Sequence, residues 1–314
     1  MRTPEPLPER LIRGGAFSTA AAAAAGVSAK RLRAHDLARP FRGSRLVRAD
    51  ETPTLWNLAR AYRSRMPEAQ FFSHATAAIM HRMPLPAHLP APTGLHVSTL
   101  TPGARPRVRG VIGHESDPSI TGVVERGGFR LSNAVDTWCQ LAGILGVEDL
   151  VAVADFLITG DEPLSGRPPP TTLDELRAAV DVRKGRRGTR ALRLALEQAR
   201  YGPLSRMETL TRLLLVSAGL PEPEINVTVL TASGRFVAMV DLAYPAYRVG
   251  LEYEGDGHRE RARFRKDITR RERIEDETWT IVRLSADDVT LRARETIGRV
   301  RSRLIGRGWV DPRA

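Results

Sequence analysis

One cysteine, Cys139, stands in 314 residues, so no internal disulfide can form, and every zinc site needing more than one thiolate from this chain is excluded. Long hydrophobic runs are missing too. The longest uninterrupted apolar stretch, Ala20–Val27, is mostly alanine and falls far short of the roughly 20 residues a membrane-spanning helix needs. Lysine is nearly absent, with Lys30, Lys184 and Lys266 the only three among 48 basic residues. The opening Met1-Arg2-Thr3-Pro4-Glu5-Pro6 lacks the positive and apolar blocks of a secretory signal, so a cytoplasmic location without a membrane partner is expected. No P-loop, dinucleotide glycine fingerprint or serine nucleophile elbow is present.

What is there is the composition of a folded protein: 42% hydrophobic and 27% charged residues, with 22 Pro and 26 Gly, too few for a collagen-like or disordered chain. At about 150 residues per domain, the length predicts two or three domains. The 48 basic against 36 acidic residues leave a net charge of +12, which makes a polyanion, DNA first, the natural partner. Arginine's planar fork suits phosphates and guanine edges.

Residues 1–50 hold ten of the basic residues and read as a winged helix-turn-helix-like module. Ser18 or Thr19 caps a helix through Ala20–Ala25, Gly26 stops it, and Ser28 caps a second, basic helix through about Leu37. That second helix offers Lys30, Arg31 and Arg33 to the major groove or its phosphates, with 40–47 as a short wing. The predicted N-terminal region is therefore α+β with a helix-turn-helix.

Residues 51–160 read as helix, strands, then helix. Helices are predicted at 56–62 and 73–80, strands at 94–99, 108–112 and 122–131 with a Gly127-Gly128 turn, and further helices from Ser132 and over 147–157. His74, His96 and His114 lie here. No two of them sit four apart on one helix with a glutamate between, so capping, packing or solvent-facing roles are expected before metal binding. Cys139 beside Trp138 is expected to be a small buried hydrophobe. The prolines of 159–172 mark a linker, and a linker and connector helix are expected over 161–200.

Residues 201–314 carry the chemistry. Ser205 caps a helix with Glu208 placed to close a capping box, strands follow at 224–230, 236–243 and 248–254, a basic helix starts near Arg259, and a last strand covers 279–284. This is an α-β-β-β-α-β order. Strand parity puts Glu252 and Glu254 on one face, where they can converge with Asp241 of the preceding strand. Three carboxylates at close range are costly unless a cation neutralises them, and an all-oxygen set points to Mg2+ or Mn2+. Beyond them, Gly255 and Gly257 leave room for a phosphate backbone, and His258 can act on a water or phosphate. The 15 residues Arg259–Arg273 hold eight basic and three acidic side chains, among them Arg259, Arg263, Lys266 and Arg270. Acids for a metal beside bases for phosphates are what phosphodiester hydrolysis needs.

Asp241-Leu242-Ala243-Tyr244-Pro245, Glu252 to His258, Lys266-Asp267 with Arg270-Arg271, and Trp279 to Leu284 resemble the very-short-patch-repair-like branch of the PD-(D/E)xK nucleases, over about 203–305. The resemblance implies an α/β restriction-endonuclease-like domain in which Asp241 and Glu252 are metal ligands and Glu208 of the leading helix assists. The position two after the glutamate, lysine in the superfamily at large and commonly aspartate in this branch, is Glu254 here. No lysine remains in the strand, and Lys266 is the expected replacement source of positive charge. Residues 73–160 are similar to the AbiEi-type antitoxin domain, carried by Phe72 to Ala78, Leu95-His96-Val97, Gly113-His114 and the segment Ser132 to Trp138. That likeness implies operator binding by the N-terminal module, and a toxin partner; the nuclease likeness is compatible with a homodimer. The expected function is DNA binding with metal-dependent endonuclease action. The alternative is a catalytically inactive DNA-binding antitoxin or transcriptional regulator.

Overall fold

The computed structural model describes residues 4–47, 53–87, 89, 94–254 and 272–313, in two compact units, Met1–Ile144 and Leu145–Ala314. Among the described residues the fold is mixed α and β with three separate sheets. Among the described residues no helix is long and apolar enough to cross a membrane.

The first unit opens with α1 (Glu9–Ile12), β1 (Ala16–Ser18), α2 (Thr19–Ala24), β2 (Leu37–Ala38) and β3 (Ser44–Val47), whose strands form an antiparallel sheet in the order β1-β3-β2. Ser18 caps α2 by accepting from the Ala21 amide at 3.0 Å, and Gly26 takes φ +76° just beyond it, as expected. The second helix predicted over 28–37 does not form. Ser28 Oγ accepts from the Arg31 amide at 3.1 Å, but only a 3-10 turn, Arg31–Arg33, follows before Ala34 is extended. The small core explains this: Leu32 and Leu37 both pack with Leu11, Phe17 and Ala22, and a continuous α-helix would put Leu37 out of the β2–β3 pairing.

The same unit continues through α3 (Leu55–Arg63), β4 (Gln70–Phe72), α4 (His74–Met80), β5 (Leu95–Thr99), β6 (Val111–Glu115), β7 (Val123–Arg126), β8 (Phe129–Ser132) and α5 (Ala134–Leu141). Five strands run in the order β6-β5-β4-β8-β7, parallel at β5–β6 and β4–β8 and antiparallel elsewhere. The β7–β8 hairpin turns at Gly127 and Gly128, at φ +55° and +76°, values open to glycine at little cost. β6 starts three residues later than the 108–112 reading. Val108 to Val111 is a turn with Gly110 at φ +79°, and the chain doubles back so closely that a Cβ on Gly113 would lie 2.0 Å from the Pro106 carbonyl oxygen. Phe41, Tyr62, Phe72 and Phe129 interlock edge to face at the centre of this core.

The second unit holds α6 (Val147–Thr159), α7 (Glu162–Ser165), α8 (Leu173–Asp181), α9 (Thr189–Gln198), α10 (Arg206–Ser217), β9 (Glu224–Leu230), β10 (Phe236–Tyr244), β11 (Val249–Tyr253), β12 (Thr280–Leu284), α11 (Ala286–Thr290) and α12 (Ala293–Ile305). The proline-rich stretch expected to separate domains lies inside this unit, because α6 packs against α9 and α10. Asp155 of α6 anchors that packing. It accepts from the Arg200 amide at 2.7 Å, from Thr209 Oγ1 at 2.9 Å and from Arg212 Nη2 at 3.3 Å. Arg212 also donates to Glu222 and to the Gln198 carbonyl.

The four strands order as β12-β11-β10-β9, with β9–β10 and β10–β11 antiparallel and β11–β12 parallel. One apolar cluster joins Leu215 of α10 and Val300 and Leu304 of α12 to Leu242, Leu251, Val282 and Leu284. A second holds Val229, Val240, Ala243 and Ile274.

Candidate functional site

Leu242 of β10 pairs with Leu251 of β11. This is the last pair of the β10–β11 ladder, and Asp241 and Glu252 are the next residues of the two strands. Asp241 Oδ2 also accepts from the Tyr253 amide at 2.9 Å, which fixes its side chain toward β11. Glu252 is buried and Asp241 half-buried.

Glu208, third residue of α10, is buried and close enough to Asp241 for the aspartate's charge to matter. Burial is the main cause that raises its pKa, and the charge of Asp241 adds to the rise, while hydrogen bonds from Leu204 and Ser205 oppose it. Its carboxylate reaches back to the Leu204 amide at 2.8 Å, and its own amide donates to Ser205 Oγ at 3.2 Å. Its role at the helix start is thus structural as well as electrostatic.

Glu254 follows β11 and is tied to β12. Arg283 Nη1 donates to its Oε1 at 2.9 Å, and its amide donates to the Leu284 carbonyl at 2.8 Å. Among the described residues, no three acidic groups bring one ligand oxygen each within 4.8 Å of one another. The structure therefore sets the Asp241 carboxylate against the Tyr253 amide next to Glu252, with Glu208 within electrostatic reach, and does not draw the expected trio of Asp241, Glu252 and Glu254 onto one point. His258, Arg259, Arg263, Lys266 and Arg270 lie outside the described residues.

In the N-terminal module, Lys30 and Arg33 are exposed, as a DNA-contacting role requires. Arg31 is not. Its guanidinium is buried and bidentate on Asp36, at 2.9 Å and 2.6 Å, and its Nε donates to the Glu5 carbonyl. The arginine's hydrogen bonds hold the Asp36 carboxyl below its ordinary range. Arg31 fastens the chain before α1 to the turn after α2, and the reading of it as a groove contact is corrected accordingly.

The three histidines for which capping, packing or solvent-facing roles are expected before metal binding come together as one cluster. His74, His96 and His114 each place one ring nitrogen within 4.8 Å of the other two, the one such group of His, Cys, Asp or Glu found among the described residues. The parallel β5–β6 register, which pairs Ser98 with His114 and His96 with Ile112, brings the two strand histidines to adjacent positions. His96 Nδ1 lies 2.9 Å from His114 Nε2, and the His74 ring stacks over His114 with centroids 3.7 Å apart. Burial and the neighbouring imidazoles lower the pKa of His74 to about 3, and burial, His96 and Arg105 lower that of His114 to about 4. The rings are neutral at physiological pH. The sequence signal was present only as three histidines on consecutive elements, since no local spacing reveals a parallel strand pair.

Two uncharacterized proteins of Mycobacterium tuberculosis, one from strain CDC 1551 / Oshkosh and one from strain ATCC 25618 / H37Rv, are each 35% identical to this chain over 131 residues, 41% of the chain and 46% of the relative. The chain thus spans about half the length of the curated relatives it matches. No family model and no solved structure matches it.

Proposed function

We propose that this chain is a DNA-binding protein whose second unit is a metal-dependent endonuclease of the PD-(D/E)xK kind. One observation carries the reading: Asp241 Oδ2 accepts from the Tyr253 amide, which sets its carboxylate beside the end of β11 where Glu252 lies, in a sheet of three antiparallel-linked strands followed by a parallel one, the order expected of that core. Two carboxylates fit Mg2+ or Mn2+, which are commonly held by one or two acidic side chains plus substrate phosphate. When bound, such a cation activates water and neutralises charge at the phosphorus.

The residues of the chain then divide the work. Asp241 and Glu252 hold the cation, the Tyr253 amide orients Asp241, and buried Glu208 adds negative potential from α10. Lys266 and His258, with Arg259, Arg263 and Arg270, are proposed to bind the scissile phosphate and its neighbours. Exposed Lys30 and Arg33 supply contacts from the N-terminal module.

A second reading is a regulator or antitoxin that grips DNA without cutting it. The Arg283–Glu254 ion pair favours it, because an arginine engages the side chain two after Glu252. Incubating the full chain with labelled duplex DNA, with RNA alongside, in Mg2+ or Mn2+ separates the two. Chelator-sensitive cleavage supports the nuclease; salt-dependent binding without cleavage supports the regulator; cleavage of RNA alone redirects the substrate.

A further inference from the structure

Three imidazoles from three different elements converge in the first unit, and we infer that they form a binding site for a tetrahedral transition-metal ion, zinc foremost, with the fourth position open to water. This site is independent of the carboxylate pair and of the nuclease reading. His74 opens α4, His96 lies on β5 and His114 on β6, with one ligand nitrogen from each within 4.8 Å of the others. An all-imidazole set suits Zn2+, Co2+, Ni2+ or Cu2+ and not Mg2+, which demands oxygen ligands.

The distances are close to what the metal needs. Zinc–nitrogen bonds of about 2.0–2.1 Å in a tetrahedron put ligand nitrogens roughly 3.3 Å apart. His96 Nδ1 and His114 Nε2 stand 2.9 Å apart, so a bound cation opens this pair by a few tenths of an ångström. The two atoms now share one proton in an N–H···N bond. On binding, the donor ring moves that proton to its other nitrogen, so each ring stays neutral and both lone pairs face the cation.

His74 is prepared in the same way. Its Nδ1 lies 3.0 Å from Ser73 Oγ, and a proton placed on Nδ1 and donated to that oxygen leaves Nε2 for the metal. Ser98 Oγ in turn donates to Ser73 Oγ at 2.8 Å. Metal-ligating histidines almost always have their outer nitrogen hydrogen-bonded in this manner. The backbone is pinned too: the His74 amide donates to Gln140 Oε1 at 2.9 Å, and the His96 amide to Thr76 Oγ1 at 2.8 Å.

A strained backbone marks the same place. His74 has φ +47°, a left-handed value that a side-chain-bearing residue holds only where its surroundings over-determine it, and such strain gathers at ligand clamps. Loading the site turns the His74 ring out of its stack on His114. Three protein ligands leave the fourth tetrahedral position to water, the arrangement of catalytic zinc sites.

The test uses the full chain stripped of metal by a chelator, titrated with Co2+ while visible absorption is followed, then with Zn2+ in competition. The expected result is one equivalent of Co2+ with the intense bands of tetrahedral coordination, displaced by Zn2+ and unaffected by Mg2+. His96→Ala and His114→Ala each weaken binding by about tenfold or more. Circular dichroism checks the fold of each variant. Should both alanine variants unfold, Ser73→Ala, which removes only the outer hydrogen bond of His74, is expected to weaken binding by about tenfold. Weak, octahedral Co2+ absorption overturns the inference, as does affinity unchanged in the folded variants, since the metal then sits on other histidines.

Discussion

Arg283 Nη1 donates to Glu254 Oε1 at 2.9 Å while, by the parallel β11–β12 register, the same arginine is the strand partner of Glu252. One cation thus stands beside two of the acids expected to act together, and it has a bond to the second of them. The division predicts unequal effects of substitution. Glu254→Gln is expected to keep cleavage within about tenfold of the native rate, whereas Glu252→Gln is expected to lower it by about a hundredfold or more. Single-turnover cleavage of a labelled duplex measures both; equal losses contradict the assignment of Glu254 to the ion pair.

The N-terminal basic residues are expected to separate into two classes. Arg31→Ala leaves Asp36 and the Glu5 carbonyl without their donor and is expected to cost about 1–3 kcal/mol of stability. Lys30→Ala and Arg33→Ala, at exposed positions, are expected to leave stability nearly unchanged. Each is instead expected to weaken duplex binding and reduce the slope of log affinity against log salt by about one. Denaturant melts and fluorescence anisotropy at several salt concentrations check the division.

Arg212 is a buried charge of the second unit, with its side chain 2% exposed between Asp155 at 1% and Glu222. Removing one partner of such a pair strands the other in a poorly solvated place. Arg212→Met is therefore expected to cost about 3–5 kcal/mol, measured by urea unfolding. A loss under about 1 kcal/mol contradicts the burial of the pair.

Acid is expected to weaken the first unit through His81. Its Nε2 lies 2.8 Å from the Ser132 carbonyl oxygen and its Nδ1 3.4 Å from Arg126 Nη1. Burial is the main cause that lowers its pKa, with Arg126 adding to the fall and the Ser132 bond opposing it. A folded pKa below the unfolded value of 6.5 means that the unfolded chain takes up the proton first. The contribution is complete above that value and is lost as pH falls through the folded pKa. The stability difference between the native chain and His81→Gln, followed by thermal melts from neutral pH downward, is expected to shrink as pH falls, and a constant difference contradicts it.

Local patterns made much of the fold legible. The alternation and turn residues around 224–230 and the Gly127-Gly128 pair gave strands where strands are found, and Ser205 gave the start of α10. The second N-terminal helix expected from its capping serine and basic face does not form, because those signals are local, whereas the demand to bury Leu32 and Leu37 together comes from the small core. The neighbouring placement of β10 and β11 was legible because antiparallel strands joined by a short turn share a register. Glu254 could not be placed, since its partner Arg283 arrives from a strand 29 residues later. The histidine cluster was hidden for a similar reason: a parallel strand pair and a helix start bring it together, and neither leaves a spacing in the chain.

The account of the second unit is tested most directly by the conversion of supercoiled plasmid to nicked or linear form, with the full chain in Mg2+ or Mn2+ set against folded Asp241→Asn. The account predicts chelator-sensitive conversion by the native chain and a loss of about a hundredfold or more in the variant. No conversion by a folded, DNA-binding native chain, or conversion that survives in Asp241→Asn, contradicts it.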